Sequence, residues 1–198
     1  NENFKIVFMG TPEFAVTILD EIVKANYNVV SVVTTPDKPA GRGQKVSESA
    51  VKQYATENNL PILQPERLKS EEFIYALKEL DADLFVVVAF RMLPEVIWSM
   101  PPKGTINLHA SLLPNYRGAA PINWAIINGE KETGITTFFI EQEIDTGEIL
   151  ERTAINISEN ESAGELHDRL MNLGKILVVN SIDKIKTCLL YTSPSPRD

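Results

Sequence analysis

Phe4-Lys5-Ile6-Val7-Phe8-Met9-Gly10 is a short, mostly apolar run that stops at a glycine, and it reads as a buried strand. Pro12 to Lys24 follows, with Phe14, Ala15, Ile18, Leu19, Ile22 and Val23 at helical spacing and Pro12 suited to a first turn. Val29 to Thr34 is the next strand-like run. The chain therefore opens β-α-β. That order predicts an α/β fold, a doubly wound and mostly parallel sheet with helices on both faces.

The alternation continues outward from this opening. Thr35 to Val46, rich in Pro, Gly and charge, reads as a loop. A helix is expected over about Ser49 to Asn58, then a short extended Pro61-Ile62-Leu63, then a helix after Ser70. Leu84-Phe85-Val86-Val87-Val88-Ala89 is uninterrupted apolar sequence, which suits a central strand covered on both faces. Gly104 to His109 is a strand that turns polar at its end. Thr133 to Ile140 and Ile149 to Ile157 read as paired strands joined by a turn through Asp145-Thr146-Gly147. Ser162-Ala163-Gly164-Glu165 matches a capping box and opens a helix to about Lys186.

The 198 residues suit one such domain, or one domain plus a short appendage. Hydrophobic residues make up 43% and charged residues 23%, which excludes disorder as the main state. No apolar run approaches the ~18 residues of a membrane span. The first residues carry no basic region or apolar core of a secretion signal. With 27 acidic and 19 basic residues the net charge is −8, so any polyanion must be met by a local basic patch. One cysteine, Cys188, forms no internal disulfide, and two histidines, His109 and His167, cannot build a multi-histidine metal site. A reducing cytoplasm is expected. Residues 188–198 contain Thr192-Ser193-Pro194-Ser195-Pro196, which cannot continue a helix. They read as a disordered or non-native tail, leaving 1–187 as the folded domain.

Ligands of open parallel sheets bind beyond the C-terminal strand ends. Three segments lie there: Gly10-Thr11-Pro12, Phe90-Arg91-Met92-Leu93-Pro94 and Asn107-Leu108-His109. The first has one glycine, a proline and Glu13 where a phosphate would be repelled, which argues against a dinucleotide. Asn107 and His109 stand two apart on a strand and so share a face. An amide donor beside an imidazole suits an oxygen that gains negative charge during reaction. A lone strand histidine is ordinarily structural. This pair, however, runs into Ala110 to Pro121, a segment more elaborate than a connection needs. Asp145 is a third candidate, with simple turn chemistry as the alternative. A single Asp-Thr-Gly in an α/β pattern does not make an aspartic protease.

Asn107-Leu108-His109-Ala110-Ser111-Leu112-Leu113-Pro114 followed by Tyr116-Arg117-Gly118-Ala119-Ala120-Pro121-Ile122 resembles the signature of the folate-dependent formyltransferase superfamily. Gly134-Ile135-Thr136-Thr137 and Ile144-Asp145-Thr146-Gly147 follow in that family's order. The Phe8 to Ala15 and Pro36 to Gly43 segments resemble the branch that acts on methionyl-tRNA, over about residues 4 to 186. The resemblance implies a Rossmann-like catalytic domain. It also implies 10-formyltetrahydrofolate as donor, methionyl initiator tRNA as acceptor and no metal. By the same analogy Asn107, His109 and Asp145 are the catalytic set. Ser111, Leu112, Leu113 and Pro114 form a folate-binding segment. Phe90, Arg91, Met92 and Leu93 line the pterin pocket, largely through backbone.

Lys38, Arg42 and Lys45 make a local basic loop in an acidic chain. By the same resemblance this loop meets the tRNA acceptor end, where phosphates need neutralising. Arg117 is a second candidate. A monomer is expected, away from membranes. Family members carry a further C-terminal β-barrel domain, which is not expected within these residues. Rival acceptors are glycinamide ribonucleotide and an amino sugar nucleotide. A related folate hydrolase or dehydrogenase domain is a further alternative, and a folate-binding fragment with little turnover is a reading of another class.

Overall fold

A computed structural model describes residues 3–43 and 45–188 of the chain. β1 (Lys5–Gly10) runs parallel to β2 (Asn28–Val33) on one side and to β6 (Leu84–Val88) on the other, with α1 (Glu13–Lys24) as the first crossover. β2 pairs in parallel with the short β5 (Ile62–Leu63), and β6 with β7 (Thr105–His109). β8 (Glu132–Phe139) and β9 (Ile149–Asn156) complete the sheet as antiparallel neighbours. The order is β5-β2-β1-β6-β7-β8-β9, the expected doubly wound and mostly parallel sheet.

β6 lies fourth of these seven strands and all five of its residues are buried, as its unbroken apolar run requires. The period of two along each strand divides the core into two clusters. Ile6, Phe8, Val86, Val88, Ile106 and Leu108 meet α1 and α6 (Ala163–Thr187) on one face. Val7, Met9, Phe85 and Val87 meet α3 (Glu71–Glu79) on the other, and Asn107, in register with Val87, belongs to that second face. β7 therefore anchors itself through Ile106 and Leu108 and leaves Asn107 and His109 free for other work. α6 opens with the predicted capping box, in which Ser162 Oγ accepts the Glu165 N–H at 3.2 Å. Ser49 and Ser70 cap α2 (Ala50–Glu57) and α3 in the same way.

The expectation of a plain loop over residues 35–46 is corrected. β3 (Lys38–Ala40) and β4 (Lys45–Ser47) form an antiparallel hairpin apart from the main sheet. Its Pro, Gly and charge hide it from pattern reading, and Lys38, Pro39 and Lys45–Ser47 are exposed, so no apolar alternation marks it. Tertiary contacts at its base hold it instead: Asp37 accepts from Lys52 and, at 2.8 Å, from the Gln64 amide. Two short helices also escape periodicity, α4 (Glu95–Trp98) and α5 (Pro121–Ile127). The expected 188–198 tail, beyond Cys188, lies outside the described residues.

Candidate active site

β6 and β7 end side by side, and beyond their C-terminal ends opens a cavity of about 660 Å³. Gly10 closes the neighbouring turn. A Cβ there would lie 2.7 Å from both the Ala15 Cβ and the Val88 carbonyl oxygen, so β1, β6 and α1 meet only over a glycine. The glycine serves packing and builds no phosphate cradle.

Asn107 and His109 reach the cavity from β7, whose partner residues on β8 are Phe138 and Thr136. Past His109 the chain folds back on itself. The buried Thr136 hydroxyl donates to the Ser111 carbonyl at 2.6 Å and accepts the Leu113 N–H at 3.2 Å. Ser111 Oγ then donates to the Asn115 carbonyl at 2.7 Å. This turn delivers the Tyr116 carbonyl to His109 Nε2 at 2.7 Å. A carbonyl only accepts, so Nε2 carries a proton and Nδ1 is the nitrogen that faces inward.

Asp145 arrives from the β8–β9 connection, in a left-handed backbone conformation at φ 54°. A Cβ on Gly147 would sit 1.5 Å from the Phe139 carbonyl oxygen, so only glycine lets this turn close over β8. Asp145 Oδ2 accepts the Gly118 N–H at 2.9 Å and lies 3.7 Å from His109 Nδ1. Both side chains are about nine-tenths buried. The carboxylate is thus oriented by a backbone amide and set opposite the inward imidazole nitrogen.

The facing wall is Phe90 to Leu93. Ala89 takes φ 51° and turns the chain away from the sheet. The backbone groups of Phe90–Leu93 form no backbone hydrogen bond among the described residues. The Arg91 guanidinium turns outward, donating to the Pro65 carbonyl at 2.7 Å and the Glu66 carbonyl at 3.1 Å, and it lies over the Phe90 ring. Burial pushes its pKa down. Arg91 thus ties the wall to the Pro65–Glu66 segment.

The structure brings Asn107, His109, Asp145 and Phe90–Leu93 around one cavity. It does not bring Ser111, Leu112, Leu113 or Pro114 to that lining. Ser111 and Leu113 are buried beneath, where they hold the turn after His109, and Leu112 lines a separate hollow of about 350 Å³. Lys38, Arg42 and Lys45 are exposed on the hairpin and Arg117 is exposed on its loop. Sequence reasoning missed His167. It reaches the cavity from α6, its ring edge-on to Phe14 with centroids 5.2 Å apart. Nothing in its helical position marks it; only its rarity, one of two histidines, sets it apart. Among the described residues there is no group of three or more His, Cys, Asp or Glu placed to hold a metal. No helix among them is long and apolar enough to cross a membrane.

Residues 4–182 match the formyl transferase family. The chain is 63% identical over 192 residues to the methionyl-tRNA formyltransferase of Flavobacterium johnsoniae, covering 97% of this chain and 61% of that protein. It is 61% identical over 184 residues to the one from Bacteroides fragilis, covering 93% and 57%. The chain therefore spans about three-fifths of the length of these curated relatives. Among solved structures, phosphoribosylglycinamide formyltransferase from Bacillus halodurans superposes with a TM-score of 0.77 at 21% identity, covering 91% of this chain and 94% of that one. A sugar 3N-formyl transferase solved in the presence of dTDP and 5-N-formyl-THF gives a TM-score of 0.68 at 26% identity, covering 93% and 64%.

Proposed function

The chain belongs to the formyl transferase family, and on that premise we propose that it transfers the formyl group of 10-formyltetrahydrofolate to the α-amine of methionine on initiator tRNA. The observation that carries this reading is the convergence of Asn107, His109 and Asp145 on one wall of a cavity whose other wall is Phe90–Leu93, a segment without a backbone–backbone hydrogen bond among the described residues. A volume of about 660 Å³ suits a flat heterocycle with a side chain, and apolar walls with a few convergent polar groups suit its recognition. The folate, when bound, supplies an activated formyl group on nitrogen. Phe90, Leu93 and the intervening backbone hold its ring. Ser111 to Pro114 contribute from below, by fixing the turn that carries His109.

As the methionyl amine attacks the formyl carbon, a C–N bond forms and negative charge grows on the formyl oxygen; the bond from that carbon to the folate nitrogen then breaks, the amine gives up a proton and the departing folate nitrogen takes one up. The Asn107 carboxamide N–H meets the developing charge, together with His109 in its protonated form, whose Nε2–H stays on the Tyr116 carbonyl while Nδ1–H faces the cavity. One such donor is typically worth about 10²–10³ in rate. Asp145, oriented by the Gly118 amide, balances the imidazolium and takes the amine proton directly or through one water. No metal enters this scheme.

The exposed hairpin carrying Lys38, Arg42 and Lys45 meets the tRNA acceptor end, supplying local positive charge to a chain of net charge −8. The resemblance in sequence to methionyl-tRNA formyltransferases sets this acceptor above glycinamide ribonucleotide, for which the tightly packed Gly10 turn with Glu13 offers no phosphate cradle. The test is an acceptor panel with 10-formyltetrahydrofolate as donor. Formylation of methionyl initiator tRNA is expected. Formylation of glycinamide ribonucleotide or an amino sugar nucleotide in its place overturns the assignment.

A further inference from the structure

We propose that the Tyr116 side chain, clamped outside the cavity by Glu130 and Asn128, is a positioning device that fixes which nitrogen of His109 carries the proton. Tyr116 touches His109 only through its backbone carbonyl, which accepts the Nε2–H at 2.7 Å. The direction of that carbonyl depends on the backbone at Tyr116, which sits at φ 55°, a left-handed conformation that L residues adopt only when held. The phenol hydroxyl is what holds it. It donates to Glu130 Oε1 at 2.6 Å and accepts from Asn128 Nδ2 at 3.0 Å. Both partners follow α5, and Asn128 is that helix's C-cap residue, so the clamp ties the loop to a formed element.

The loop is fastened on three sides. Ser111 Oγ holds the Asn115 carbonyl just before Tyr116, Asp145 holds the Gly118 N–H just after it, and the phenol holds Tyr116 itself from outside. With the carbonyl committed to Nε2–H, Nδ1 is the nitrogen left to face Asp145 at 3.7 Å. Without the clamp the carbonyl keeps only the flanking ties at Asn115 and Gly118, and its hold on the His109 tautomer loosens. Tyr116, Glu130 and Asn128 act on the reaction only through His109, and none of them lines the cavity.

The kinetic half of this inference rests on the proposed formyl transfer; the tautomer half does not. Nitrogen NMR of the full chain reads the tautomer directly. With two histidines in the sequence, His167→Gln assigns the remaining ring to His109. At roughly pH 8.5, well above the ordinary histidine value, wild type should show one protonated Nε2 and one bare Nδ1. Tyr116→Phe and Glu130→Ala, each of which removes the phenol–carboxylate hydrogen bond, should each shift His109 toward a mixture of tautomers. Tyr75→Phe, which removes an exposed hydroxyl on α3, should leave the pattern alone.

In transfer assays the two clamp variants should lose roughly tenfold in kcat, because the same Tyr116 carbonyl that selects the neutral tautomer also orients the Nε2–H of the protonated ring at work in the reaction, with KM for both substrates unchanged. An unchanged His109 pattern in folded Tyr116→Phe overturns the proposal whether or not the chain turns over. A raised KM at unchanged kcat also overturns it, since that marks substrate contact instead. If wild type transfers nothing, the proposed activity fails while the NMR result still decides the clamp.

Discussion

His109 Nδ1 faces Asp145 Oδ2 across 3.7 Å, while the opposite nitrogen of the same ring is committed to the Tyr116 carbonyl. The gap is too long for a hydrogen bond and short enough for both groups to reach one reacting proton. Asp145 is anchored by the Gly118 amide instead, so its orientation does not depend on the histidine. Carboxylate and imidazole are thus placed independently and left a narrow space in which a reacting proton can pass.

Asp145→Asn should therefore separate orientation from charge. The amide oxygen can still accept the Gly118 N–H, so the thermal midpoint should stay near wild type. Formyl transfer should fall by about 10²–10⁴, the usual share of proton handling. Melting curves and turnover on the same preparation check both halves.

Thr136 bears on stability more than on chemistry. It is fully buried and makes two hydrogen bonds that pin the turn after His109. Thr136→Val keeps the shape and leaves the Ser111 carbonyl and Leu113 N–H without that partner. Loss of about 1–3 kcal/mol is expected in urea unfolding. Turnover should fall as well, because Ser111 and Leu113 lead directly to the Tyr116 carbonyl.

Arg42→Ala on the hairpin should weaken use of tRNA and leave folate binding untouched, since the hairpin does not line the cavity. If Arg42 meets a phosphate, the slope of log affinity against log salt should decrease by about one. Fluorescence titrations of folate and tRNA at several salt concentrations check this.

The hairpin's anchor carries a pH signature. The Lys52 ammonium, and then the Gln64 amide, hold the Asp37 carboxyl below the usual carboxylate range. A depressed folded value means that the pair stabilises at pH above the unfolded value, about 3.9, and stops doing so as pH falls through the folded one. Asp37→Asn should melt earlier than wild type near neutrality. The difference should close as the pH falls below the ordinary carboxylate range, which paired melts across that range would show.

The sheet was legible because β1 and β6 are buried on both faces and so are written as mostly apolar runs, with Val29 to Val33 of β2 interrupted only by Ser31. The pairing of Asn107 with His109 was legible from strand period alone. The β3–β4 hairpin was not, because what holds it is Lys52 and Gln64 meeting Asp37 from other elements. α4 and α5 are too short to show a period. His167 was invisible because helical spacing says which face is buried and not what an open face looks upon. Ser111 to Pro114 show the converse: the motif is distinctive, yet its visible work is to build the turn behind the histidine.

The most direct test is a single-turnover assay with 10-formyltetrahydrofolate and methionyl initiator tRNA, comparing wild type with Asn107→Ala and His109→Ala, alongside folate binding by each. Formyl-methionyl-tRNA is expected from wild type, with loss of at least about 10² in rate in each variant and near-normal folate binding. Transfer at wild-type rate by either variant would contradict the roles given to Asn107 and His109.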